Sequence, residues 1–199
     1  MSPRKRHTSS SFFLDLYACF LLPAYTLLFA GSVEWFSTNF SVRAVLGEDY
    51  YWGFVLWGVL AAAYFLVLLT RLARSLSNLW LRLFVHLLTL AACSGLVYSL
   101  AIPYLPDQFP RYSQLHILLA FGACVLLMAS LLLLLLAFRR EAPGLYRLFL
   151  PGWIAIVAIC CGLFGLVGIV STALEVFFTL STVLFTRRLW LLRRQEGKV

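Results

Sequence analysis

Residues 148–190 read LFLPGWIAIVAICCGLFGLVGIVSTALEVFFTLSTVLFTRRLW and are apolar almost throughout. As a single helix this stretch would run about 64 Å at ~1.5 Å per residue. That is twice the roughly 30 Å hydrocarbon core of a bilayer. The chain therefore has to turn, and Gly165, Gly168, Ser171 and Thr172 mark the place. Two helices follow, over residues 148–169 and 171–190, each of membrane-crossing length.

Working back toward the N-terminus, further apolar runs cover residues 115–138, 79–102, 51–72 and 12–31. The expected fold is all-α: a polytopic integral membrane protein with a six-transmembrane-helix bundle as one domain over residues 1–199. Composition agrees. Apolar residues make up 62% of the chain and charged residues 12%, against roughly 45–50% and about 25% in soluble domains. A soluble protein of this length leaves too much of its area wet to hide so much apolar surface.

The net charge of +8 would point to nucleic acid in a soluble protein. Here the basic residues lie between apolar runs, and no RNP-like, zinc-finger or helix-turn-helix pattern is present. Arg4, Lys5, Arg6, Arg71, Arg74, Arg82, Arg139, Arg140, Arg147, Arg187, Arg188, Arg193, Arg194 and Lys198 all fall on one side of a six-span arrangement. Only Arg43 and Arg111 fall on the other, with Glu34, Glu48, Asp49 and Asp107. The positive-inside rule puts the crowded side, and both termini, in the cytoplasm, and the expected location is a bacterial inner (plasma) membrane. The first run has a basic lead, but it is long for a signal peptide and Leu28-Phe29-Ala30 is a poor cleavage site, so an uncleaved helix is expected.

The longest connections, residues 32–50 and 103–114, lie on the outer side and are rich in Trp, Tyr and Pro, which suits the membrane interface. Asn39-Phe40-Ser41 matches a glycosylation sequon but sits too near the membrane for modification to be expected. No internal repeat is legible. Cys19, Cys93, Cys124, Cys160 and Cys161 lie inside the apolar runs without a C-x-x-C pair, which reads as small apolar filler rather than redox chemistry.

Spacing indicates which faces meet. Ala155, Ala158, Cys161, Gly165 and Gly168 recur at three and four residues, a small-residue stripe of the kind that lets helix backbones approach closely in lipid. Thr172, Glu175, Thr179, Thr182 and Thr186 repeat likewise in the last run and should face inward, toward other helices or a wet cavity. The run Leu131–Leu136 is plain packing or lipid-facing surface.

Ionisable groups in a membrane are costly without partners and so are the functional leads. Asp15 near the inner leaflet is expected to pair with Arg82 or His86, as a structural tie. On the outer side Glu175, His116, Tyr98, Ser94, Glu34 and Asn39 are the candidate ligand-binding residues. They are expected to converge on a small polar pocket with Glu175 at its wall and residues 34–41 as its rim. No catalytic residue, metal site or cofactor is expected.

Pro23, Gly31, Trp35-Phe36-Ser37-Thr38-Asn39-Phe40-Ser41, Trp57-Gly58, Phe109-Pro110 and His116 together resemble the DRAM-like group of six-helix membrane proteins and their uncharacterised bacterial relatives. The resemblance covers about the first two thirds of the chain. It implies a six-helix bundle with cytoplasmic termini and a role near lipid homeostasis. The Asp that often follows Ser in that group's first outer loop is replaced here by Thr38-Asn39.

Three function classes remain. One binds or moves a lipid or small amphiphile, with membrane lipids as partners. Another is an accessory or scaffold subunit, which needs a second membrane-protein subunit and only packing faces. The third, an intramembrane lipid hydrolase built on zinc, is disfavoured, since His86 and His116 are the only intramembrane histidines and lie at opposite sides.

Overall fold

A computed structural model describes residues 9–31 and 34–197, with side chains from residue 12 onward. Arg4, Lys5, Arg6, Lys198 and the start of the first outer loop lie outside the described residues.

The chain opens with α1 (Ser9–Leu16), which runs through one π-helical turn (Tyr17–Leu21) into α2 (Leu22–Ala30). Proline has no amide to offer the turn before it, and Pro23 stands in the first turn of α2. The Leu22 amide reaches back five residues to the Tyr17 carbonyl, which widens the turn around this gap. Two phenols then fasten the segment to its neighbour, Tyr17 donating to the Leu60 carbonyl (2.8 Å) and Tyr25 to the Gly53 carbonyl (3.1 Å).

After a short α3 (Phe40–Ala44) come α4 (Glu48–Arg74), α5 (Leu79–Ala101), α6 (Pro110–Glu141), α7 (Phe149–Val167) and α8 (Thr172–Gln195). Among the described residues, five helices are long and apolar enough to cross a membrane: Phe12–Ala30, Glu48–Arg74, Leu79–Ala101, Pro110–Glu141 and Phe149–Val167. The α8 helix has 24 residues, about 36 Å at ~1.5 Å per residue. It stands apart from the five because Glu175, Arg187, Arg188 and its threonines make it far less apolar. The expected boundaries shift most in α6, which begins at Pro110 instead of 115, since proline suits the first helical turn.

Neighbours in sequence pack as antiparallel pairs, α4 with α5, α5 with α6 and α7 with α8, and α4 also touches α2, α3, α6 and α8. Leu68, Leu69 and Leu72 of α4, Val85 of α5, Leu131, Leu134, Leu135 and Phe138 of α6, and Val183 and Leu189 of α8 form one buried cluster. Of the leucine run Leu131–Leu136, three members therefore pack inward. The tightest glycine contact is at Gly58, where a Cβ would meet Leu100 Cδ1 at 2.5 Å. A larger residue there would force the buried Leu100 side chain to shift.

The small-residue stripe of α7 does not play that part. Ala155, Ala158, Cys161, Gly165 and Gly168 are all exposed, and a Cβ added at Gly165 or Gly168 would meet nothing within 4 Å. The helix packs through its other face, with Ile156 buried and the Trp153 indole donating to the Met128 carbonyl of α6 (3.1 Å). In lipid a small-residue stripe permits a close contact without demanding one. The turn expected after this stripe is present. Gly168, at φ +79, ends α7 with its amide on the Phe164 carbonyl, and Ser171 caps α8 through the Leu174 amide.

Candidate functional site

Polar side chains gather at two ends of the bundle. At one end α3 and the preceding residues form a strap across the helix ends. Asn39 caps α3, its side-chain oxygen accepting from the Val42 amide (2.8 Å), as short polar residues do at helix starts. The strap is stitched to α8 through backbone groups. The Thr172 amide and hydroxyl both donate to the Thr38 carbonyl (2.7 and 3.0 Å), and the Ala173 amide donates to the Trp35 carbonyl (2.9 Å). A carboxylate oxygen of Glu175 accepts from the Phe40 amide at 2.7 Å. Phe40 itself is fully buried, edge-on to Phe29 and Trp57. Arg43 closes the other side, donating to the Ala30 carbonyl (2.7 Å). It also lies 3.0 Å from where a Cβ would stand on Gly31, at φ +52, so this corner suits glycine alone.

The expected grouping around Glu175 is corrected accordingly. Its hydrogen-bond partner is the strap's own amide rather than Tyr98, Ser94 or His116. Tyr98 is 67% exposed and Ser94 half-buried, because α5 turns that face outward. Glu34 bonds the Ser37 hydroxyl within the strap. The threonine stripe of α8 does face inward, yet Thr182 and Thr186 donate to the Phe178 and Thr182 carbonyls of their own helix instead of lining water.

His116 is the exception. It is buried on α6, and its Nδ1 lies 2.8 Å from both the Ser99 and Ile102 carbonyls at the C-terminal end of α5. Carbonyls only accept, so Nδ1 carries the proton. The other ring nitrogen, Nε2, lies 2.8 Å from the Ser41 hydroxyl of α3. Phe54 and Tyr104 flank the imidazole at 6.4 and 5.8 Å between ring centres. A cleft opens beside it, lined by Ser41, Tyr51, Phe54, Pro103, Tyr104 and neighbouring aliphatic groups, with about 10 Å³ free for a water centre. That is room for about one water.

The opposite end holds a cluster that sequence reading missed. Arg193, fully buried, pairs with Glu141 (2.7 Å) and Glu196 (3.1 Å). It also donates to the Ser75 hydroxyl and carbonyl (both 3.0 Å) and lies 4.1 Å over the Phe138 ring. The Tyr146 phenol donates to Glu196 (2.6 Å). Burial, and then the adjoining Glu196 carboxylate, push that phenol well above its ordinary value, which keeps it a donor. In the sequence Arg193 is one of several C-terminal basic residues, and nothing in its spacing sets it apart.

Nearby, Asp15 pairs with Arg187 of α8 at 3.1 Å, not with Arg82 or His86. The first helical segment packs against α8 and α4, and His86 turns its Nδ1 to the Arg82 carbonyl one turn back in its own helix (2.6 Å). All five cysteines are free. Among the described residues, no three His, Cys, Asp or Glu side chains come together as a metal-binding group. No protein-family model matches this chain, and neither does any curated protein or solved structure.

Proposed function

We propose that this chain is a six-span integral membrane protein of a bacterial inner membrane, with both termini cytoplasmic, that engages a lipid or small amphiphile at its outer end beside His116. Arginines crowd the end opposite α3, as the positive-inside rule asks of a cytoplasmic face. The length of α8 suffices for a sixth crossing, and neighbouring helices cover its polar stripe. The resemblance to the DRAM-like group points the same way.

The observation that carries the reading is the cleft between Ser41 and His116. It pairs a buried imidazole with a hydroxyl in otherwise apolar and aromatic walls. It admits one carbonyl or hydroxyl oxygen and leaves the rest of an amphiphile outside, along the interface. Tyr50, Trp52, Phe109 and Tyr112, all exposed near this end, are the residues that settle at a membrane–water boundary. Glu175 anchors the strap and is no wall of this cleft.

A phospholipid carrying a photoactivatable group near its ester should, in vesicles containing the protein, cross-link within residues 41–54 and 102–116. Adducts confined to the lipid-facing middle of the helices would refute the reading.

A second reading, an accessory subunit, is favoured by one specific observation. The stripe from Ala155 to Gly168 is open along the outside of α7 and would accept a helix of another membrane protein.

A further inference from the structure

We propose that Ser41 and His116 form a nucleophile–base pair that hydrolyses carboxylic esters at the membrane surface. The proposal rests on the lipid-engaging reading above and adds a reaction to it.

The first support is how differently Ser41 behaves from most hydroxyls inside the helices. Those of Thr26, Ser99, Ser130, Ser181, Thr182 and Thr186 each donate to a carbonyl three or four residues back in their own helix, the usual habit of hydroxyl residues in helices. Ser41 instead meets a ring nitrogen on α6, at 2.8 Å. The second support is the orientation of that ring. With Nδ1–H held by the carbonyls of Ser99 and Ile102, the imidazole presents the lone pair of Nε2 to the Ser41 hydroxyl. Nucleophile, base and a third group that fixes the base's tautomer are the three parts of an activated serine. The two carbonyls also suit the positive charge the ring takes on with the serine proton, the part a carboxylate plays in a catalytic triad. The third support is access, since both side chains line the same cleft. The rings of Tyr51 and Tyr104 line it too and help keep it apolar around the pair.

The chemistry balances with water as the only co-reactant. Ser41 Oγ bonds to the ester carbonyl carbon while its proton passes to His116 Nε2. The carbon–oxygen bond to the alcohol then breaks, and the alcohol leaves with that proton. Water attacks the acyl-serine and gives one proton to His116, the carboxylic acid departs, and the proton returns to Ser41.

A fluorophosphonate probe tests this directly, because it labels serines activated by a base. The full-length protein in lipid nanodiscs should take up one probe, mapped by mass spectrometry to Ser41. Ser41→Ala should abolish labelling, and His116→Gln should slow it at least tenfold. If His116→Gln fails to fold, labelling of the unaltered chain still decides the matter. An unlabelled Ser41 in folded wild-type protein, or labelling spread over other serines, overturns the pair. The lipid reading fails separately. Cross-links at the cleft with no labelling of Ser41 leave lipid engagement standing and remove only the reaction, whereas absence of both removes both.

Discussion

The two ends of the bundle solve the same problem with different materials. At the arginine-rich end, helix ends are joined by charge: one guanidinium, fully buried, holds two carboxylates, a serine and an aromatic face. At the α3 end they are joined mostly by backbone groups: the strap's carbonyls and amides meet the first turn of α8, and a single carboxylate completes the set. A fully buried guanidinium is costly to place without partners, and removing it takes several charge-assisted bonds away at once. Backbone stitching distributes the load, so each contact matters less. The charged end is therefore expected to be brittle and the strapped end tolerant, with its one unusual pair, Ser41 and His116, free for chemistry.

Arg193→Ala should show the largest loss, about 3–5 kcal/mol, because the fully buried guanidinium takes with it its pairs with Glu141 and Glu196, its bonds to Ser75 and its packing on Phe138. Thermal unfolding in detergent measures it. Combining Arg193→Met with Glu141→Gln and Glu196→Gln should recover most of the loss. Failure to recover would show that Arg193 acts through packing on Phe138 rather than through charge.

Glu175→Ala should cost less, about 1–3 kcal/mol, the penalty for leaving the Phe40 amide without an acceptor. Glu175→Gln keeps an acceptor and should stay close to wild type. Equal damage from both variants would mean the negative charge itself matters, and would sharpen the comparison by giving the strapped end an electrostatic component.

Gly165→Leu marks the smallest effect. With open space around this position, the stability of the isolated chain should move by no more than about 0.5 kcal/mol, as for surface changes generally. If α7 docks a second membrane protein, the same variant should weaken that association on native gels while the melting temperature holds. A large drop in melting temperature would show that the stripe packs within the chain after all.

Much of the architecture was legible beforehand. The turn at Gly168–Ser171 follows from length alone, since no helix as long as residues 148–190 fits one bilayer crossing. Inward orientation of the α8 threonines follows from their period. The partners did not follow. Sequence places Asp15, Arg82 and His86 toward the same leaflet, but depth in a membrane does not say which helices are neighbours. The cost of a histidine in a membrane singles out His116, yet its tie to Ser41 depends on a five-residue helix that no hydropathy pattern announces. By sequence alone Arg193 is one more charge among the C-terminal basic residues.

What the sequence determined by itself is the succession of apolar helices and the sorting of charge between the two ends. Lipid requires every backbone polar group to be bonded within the protein and each crossing to match the thickness of the bilayer, so these properties are written residue by residue. Tertiary structure alone decided which polar group meets which, and whether the α7 stripe faces a helix or lies open. Lipid is as apolar as a neighbouring helix, so no difference in hydrophobicity separates those outcomes. They turn on rotation and close fit, which exist only once the helices are assembled.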